Sequence, residues 1–204
     1  MPEQLLFAGF EPVPWSPAVA QTQAKPKVWR DMLLFLAHVE ASAADKATRV
    51  CHSLIRRYDL RVSAQANPHV TLHPIGDFAV TPSSVLNLLK GLGDEIRLPP
   101  FETVWDRVMS WHGKTDCYPL VMRPSTGGAE LVELHQAIRL ALDLAAPGRF
   151  PPWRFDPHVP LTRSRRIDEQ AIAPIRWRVR EFSLVRSIQR EGRHEVLKSW
   201  LLRA

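Results

Sequence analysis

Regular patterning of apolar and polar positions begins at Asp31, and from there the chain reads as a series of short elements. MLLFLAHV (32–39) is a continuous apolar run, long enough for a buried strand and too short for a helix. In ASAADKATRVCHSLIRRYDL, the apolar residues Val50, Cys51, Leu54, Ile55 and Tyr58 recur at helical spacing and predict an amphipathic helix. NPHVTLHPIGDF (67–78) reads as a strand ending in a Gly-Asp turn, and SSVLNLLKGLG as a short helix closed by glycines. FETVWDRVMSWHG and YPLVMRP form the two arms of a hairpin around the turn at 113–116. GGAELVELHQAIRLALDLAAPG carries the clearest helical period, with Leu131, Leu134, Ile138 and Leu142 on one face and Pro147-Gly148 as the stop. FDPHVPLTRS is a further strand. IRWRVREFSLVRSIQ alternates and reads as one strand, and HEVLKSWLL reads as the last.

Strands interleaved with helices, but also joined by tight hairpins, argue for an α+β fold rather than a doubly wound parallel sheet. NPHVTLHPI (67–75) and DPHVPLTRS (156–164) share the frame polar-Pro-His-Val-x-Leu, each after a helix, with the histidines 89 positions apart. Such a spacing is no short-period solenoid. It suggests equivalent strands in two lobes.

Composition adds boundaries. Residues 1–28 hold Pro2, Pro12, Pro14, Pro17 and Pro26 and read as an irregular arm, with Phe10 and Trp15 able to pin it to the body. The remainder, 29–204, reads as one bilobal domain. No apolar run reaches the roughly 18 residues of a membrane helix, and the N-terminus lacks a basic start with an apolar core, so a cytoplasmic location is expected. Cys51 and Cys117 stand 66 positions apart, which makes neither a disulfide framework nor a cysteine zinc site. The net charge of +6 is uneven: residues 149–204 hold 13 Lys+Arg against 6 Asp+Glu, and residues 1–148 hold 14 against 15. The basic end points to a polyanionic partner. Part of it is a stripe, Arg176, Arg178 and Arg180, on one strand face.

On a strand, residues i, i+2 and i+4 face the same way. His69, Thr71 and His73 would then share one face, as would His158, Pro160 and Thr162. If the two faces meet, paired imidazoles can act as general acid and general base on a phosphodiester. Arg163 can neutralise a phosphate charge. A metal site from His69, His73 and Asp77 is not expected, because i and i+4 on a strand lie about 13 Å apart. His38, His52, His112, His135 and His194 show no pairing pattern. Cys51 reads as inert core. Most tryptophans read as core, with Trp153 able to line the site.

HVTL (69–72) and HVPL (158–161) resemble the paired His-x-Thr-x signature of the 2H phosphoesterase superfamily, in its 2′-5′ RNA ligase / RNA 2′,3′-cyclic phosphodiesterase branch. The likeness runs over roughly residues 30–204 and includes Arg163 five residues after His158. It implies a bilobal α+β fold, with two related antiparallel sheets flanked by helices around a central cleft. It further implies His69 as acid toward a leaving ribose oxygen and His158 as base toward water. Thr71 and Arg163 would hold phosphate, and Thr162 would serve where Pro160 replaces the family's second hydroxyl. The implied substrate is an RNA end or nucleotide with a 2′,3′-cyclic phosphate, opened to a 2′-phosphate. Reverse 2′-5′ joining is also implied, with no metal or cofactor and a monomeric enzyme. The alternative is a module of the same fold that holds RNA or a nucleotide with weak or no turnover.

Overall fold

The computed structural model describes residues 30–60, 67–111, 118–150, 152–188 and 191–204. The arm at 1–28, the turn at 113–116, His112 and Cys117 lie outside the described residues. No described helix is long and apolar enough to cross a membrane.

The elements run β1 (Asp31–His38), α1 (Ala41–Arg57), β2 (His69–Phe78), α2 (Ser83–Leu92), a 3-10 turn (Gly93–Glu95), β3 (Phe101–Ser110), β4 (Tyr118–Thr126), α3 (Gly128–Ala145), β5 (Val159–Ser164), β6 (Gln170–Val179), β7 (Glu181–Ile188) and β8 (Arg193–Leu201). They build two antiparallel four-stranded sheets, in the orders β2-β1-β7-β8 and β5-β4-β3-β6. The architecture is therefore α+β with two related sheets flanked by helices, as the chain's patterning and its resemblance imply. β1 is buried on both faces, with Leu33, Phe35 and Ala37 in the shared core and Leu34 and Leu36 in a second apolar cluster, which is why its sequence is a continuous apolar run rather than an alternation.

One element differs from expectation. The segment read as a single strand over 175–189 is two strands in different sheets, with Arg180 between them. β6 is an edge strand with one buried face, alternating through Ile175, Trp177 and Val179. β7 is central, so Phe182 to Val185 are buried without interruption. The change of pattern at Arg180 is the passage from edge to interior.

Both sheets turn one face to a shared core that the helices cover. Phe182 stacks on Trp200 in the first sheet with Phe35 tilted against both, and Trp105 lies on Trp177 at 5.0 Å in the second. α1 follows β1 but packs against β5 and β6, while α3 follows β4 and packs against β2 as well as β4. Each half thus lends a helix to the other half's motif strand. α1 buries Ala43, Ala47, Cys51 and Leu54, and α3 buries Leu131, Leu134, His135, Ile138 and Leu142. The opposite face of the first sheet carries a separate cluster of Leu34, Leu36 and Val185.

α3 is entered through Gly127, which adopts φ +80°, and a Cβ there would stand 2.4 Å from the Glu102 carbonyl oxygen. That obstacle is backbone and cannot swing aside. Gly127→Ala is expected to cost about 1–3 kcal/mol from strain and overlap together, measured as a lower urea midpoint with an unchanged m-value.

Candidate active site

The two histidine motifs lie on β2 and β5, the edge strands of their sheets, and the two strands pack beside each other. The sequence puts Asn67-Pro68 before one histidine and Asp156-Pro157 before the other. Proline fixes its own φ and keeps the preceding residue extended. In both places the result is the same contact: His69 Nδ1 lies 2.8 Å from the Asn67 carbonyl, and His158 Nδ1 lies 2.8 Å from the Asp156 carbonyl. A carbonyl only accepts, so each Nδ1 donates and each Nε2 is left for other chemistry. With Nδ1–H fixed, Nε2 is a base when the ring is neutral and an acid when it is charged.

The strands share a second feature. The β1–β2 register pairs Leu36 with Thr71 and Phe35 with His73, so Leu72 is an extra, bulged residue. The β4–β5 register pairs Leu120 with Thr162 and Val121 with Pro160, so Leu161 is bulged at the matching position. Each bulge carbonyl accepts from a helix side chain: Leu72 O from His135 Nδ1 at 2.8 Å, and Leu161 O from Cys51 Sγ at 3.6 Å.

The bulges decide which side chains reach the site. Thr71 lies opposite Leu36, and His69 opposite His38, on the sheet face turned away from the shared core. His73 lies opposite Phe35 on the core side and is fully buried. His73 therefore does not share the face of His69 and Thr71, contrary to simple alternation. It stacks on His135 at 5.5 Å, which in turn stacks on Phe155 at 4.8 Å. Thr162 likewise lies opposite the core residue Leu120 and is buried, so the expectation that it takes the place of Pro160 on the face of His158 is corrected by the register. His158 itself immediately precedes β5 rather than lying within it. Arg163 follows Thr162 by alternation onto the face away from the core, and its side chain is exposed.

Around His69 the structure gathers imidazoles that sequence pattern did not pair. His38 is its cross-strand neighbour, and the His194 ring meets it edge-on at 4.7 Å. Around His158, Trp111 packs at 4.0 Å. Arg123 pairs with Asp156, donates to the Pro157 carbonyl at 3.1 Å, and lies 5.6 Å over Trp111. His38, His194, Trp111 and Arg123 come from β1, β8, the end of β3 and β4. They come from strands distant in the chain, and nothing local in the sequence announces them.

Burial pushes His69 down to about 4, and the neighbouring charges of His194, His38 and His158 add to this against the Asn67 bond. His158 is lowered by burial and then by Arg123, against its bond to Asp156. His38 and His194 are also lowered by burial. Burial therefore favours the neutral form of all four rings.

Other expectations resolve plainly. Cys51 is buried and its thiol is pushed up to about 11 by burial, which makes it unreactive core. Trp153 is 41% exposed. The stripe Arg176, Arg178 and Arg180 belongs to β6 and the residue after it, at the far edge of the sheet from β5, with Arg178 near Glu102 and Arg180 near Glu40, both at 3.9 Å. It is not a wall of the β5 side. No group of three His, Cys, Asp or Glu residues able to hold a metal occurs among the described residues.

The family model of the 2′-5′ RNA ligase superfamily matches residues 40–191. No curated protein matches in sequence. Among solved structures, TT0787 of Thermus thermophilus is similar at 20% identity with TM-score 0.69, over 85% of this chain and 98% of its own. E. coli LigT in apo form is similar at 22% identity with TM-score 0.68, over 86% and 99%. E. coli LigT complexed with 3′-AMP is similar at 23% identity with TM-score 0.66, over the same shares.

The burial of His69 and His73, both lowered to about 4, sets an acid limit on stability. Their ordinary value is 6.5, so the unfolded chain binds more protons between about 6.5 and about 4. The stability they contribute is present above that window and lost as pH falls through it, on the order of 3 kcal/mol each. Ring NMR titration should place both midpoints near 4, and the loss of urea stability between about pH 7 and pH 4.5 should shrink in His73→Phe.

Proposed function

Because the chain belongs to the 2′-5′ RNA ligase superfamily, we propose that it is a phosphodiesterase that opens a 2′,3′-cyclic phosphate at an RNA or nucleotide end. The product is a 2′-phosphate. The observation that carries this reading is the pair of imidazoles held identically by Nδ1 to the carbonyl two residues back, on adjacent edge strands. Two such Nε2 atoms are what in-line displacement at phosphorus requires, one beside the entering oxygen and one beside the leaving oxygen.

In the proposed reaction His158, neutral, takes a proton from water as its oxygen bonds to phosphorus. The bond from phosphorus to O3′ breaks, and His69, charged, gives its proton to O3′. The phosphate itself supplies the condition for that charge, since an anion beside His69 offsets the desolvation that otherwise keeps the ring neutral. Thr71 donates its hydroxyl to a phosphate oxygen, and Arg163 offers a paired contact from β5. Pro160 has no donor, and Thr162 lies on the core side, so phosphate is held chiefly by the Thr71 side and by Arg163. The nucleotide present with E. coli LigT supports a nucleotide end as substrate. The same route run with a ribose hydroxyl in place of water gives 2′-5′ joining.

The loss of a hydroxyl at Pro160, uncompensated by Thr162, favours a second reading. In it the fold holds RNA through its basic end without turnover. Salt-sensitive RNA binding that survives removal of either histidine would mark it.

The deciding assay incubates the protein in EDTA with an oligonucleotide ending in a 2′,3′-cyclic phosphate and identifies the end group formed. A 2′-phosphate is expected. His69→Ala and His158→Ala should each lower turnover by about 10²–10⁴-fold, and Thr71→Val by about 10–100-fold. Turnover retained in either histidine variant removes the assignment.

A further inference from the structure

β2 and β8 are the two edges of the first sheet, and each sends an imidazole to the same place. β8 pairs with β7 so that Val196 lies opposite Val185 and His194 opposite Ser187. Val185 belongs to the apolar cluster on the face away from the shared core, and Ser187 lies opposite Met32, which packs on that cluster. His194 therefore stands on the face that also carries His38, His69 and Thr71. Its ring meets the His69 ring edge-on at 4.7 Å. His69 Nδ1 is committed to the Asn67 carbonyl, whereas His194 makes no hydrogen bond with another described residue. Its ring nitrogens are open to a ligand beside His69.

The titratable groups gathered here are of one kind. His194, His38 and His158 act on His69, and His38 acts on His194, each opposing a positive charge on its neighbour. Among His38, His69 and His194, Glu181 acts on His38 alone. Such a group presents N–H donors and has no carboxylate within it, so an anion favours its charged form. The neighbouring chemistry names the anion. Thr71 stands on this face two residues after His69 and carries a hydroxyl. The matching position of β5 is Pro160, which has no donor, and Thr162 is turned to the core. A phosphate between the motif strands thus meets one hydroxyl where two equivalent strands would supply two, and His194 stands on the side of that one.

We propose that His194 is a phosphate-binding residue of this site, whose charged ring donates an N–H to a nonbridging phosphate oxygen beside Thr71 and so supplies the contact that Pro160 lacks. The proposal rests on the reading of His69 and His158 given above. His194 transfers no proton to the substrate. It offsets the charge spread over the phosphate oxygens during the displacement, while His69 and His158 serve the leaving and entering oxygens. An imidazolium bond to a phosphate oxygen is charge-assisted and stronger than the neutral hydroxyl bond it stands in for.

Two variants separate this role from packing. His194→Phe keeps a flat ring against His69 and removes both nitrogens, and His194→Gln keeps an N–H donor. Titration calorimetry compares adenosine 2′-phosphate, the product of the proposed reaction, with adenosine, and turnover is followed with adenosine 2′,3′-cyclic phosphate. In His194→Phe, affinity for adenosine 2′-phosphate should fall about tenfold or more while that for adenosine stays within about twofold. In the same variant kcat/KM should fall by about 10–100-fold, and His194→Gln should recover part of both losses. The comparison of two ligands on one protein is indifferent to any loss of folded material. An unchanged affinity for adenosine 2′-phosphate in His194→Phe, or an equal loss for both ligands, overturns the role of His194 alone. A wild-type protein that leaves the cyclic phosphate intact overturns the proposed function, and the phosphate-against-adenosine difference then decides His194 by itself. A wild-type protein that binds adenosine 2′-phosphate no better than adenosine overturns the inference outright.

Discussion

An edge strand has one hydrogen-bonded neighbour and two faces, and one extra residue in it exchanges the faces of the residues that follow, up to the next bulge. Both motif strands contain that exchange, β2 at Leu72 and β5 at Leu161, and β2 contains a second one at Ile75. The bulges at Leu72 and Leu161 turn the residues that follow them, His73 and Thr162, to the core side, while His69, Thr71 and Arg163 stand on the face away from the core. Both bulge carbonyls are held by side chains on helices, His135 of α3 on Leu72 and Cys51 of α1 on Leu161. Each of these helices comes from the opposite half of the chain. The bonds that hold the motifs in shape are therefore also bonds between the halves.

The arrangement carries a cost that packing elsewhere must cover. His73, turned inward by the bulge, has both ring nitrogens without a hydrogen-bond partner among the described residues, as do the indole nitrogens of Trp105 and Trp177. An unmade bond to a buried polar atom costs about 1–3 kcal/mol. The return is rigidity: stacked rings run from His73 through His135 to Phe155, one residue before Asp156, whose carbonyl orients His158. The first motif and the approach to the second are thus one packed column. Near His69 the same low-dielectric setting works on charge. Several imidazoles share the site, and burial favours their neutral forms.

Much of this was legible along the chain because it follows from periodicity. A continuous apolar run marked β1 as a strand buried on both faces, and helical spacing marked the inward faces of α1 and α3. The repeated Pro-His-Val-x-Leu frame marked two equivalent strands, since proline and histidine at fixed positions act on local geometry. Even the division of β6 from β7 is written as a change from alternation to unbroken burial at Arg180, although it reads as one strand when alternation alone is followed.

What the amino-acid order determined by itself is the local half of the site: two histidines, each set by the proline before it, on two strands of the same kind. Tertiary structure decided the rest, because those properties depend on partners distant in the chain. A bulge exists only against the register of a neighbouring strand, so neither the burial of His73 and Thr162 nor the separate fates of Thr71 and Pro160 could be read from alternation. His194 meets His69 from β8, and Trp111 meets His158 from the end of β3. Side chains from β1, β3, β4 and β8 complete the site because β-sheet pairing is non-local, and pairing is the property that a linear pattern does not contain.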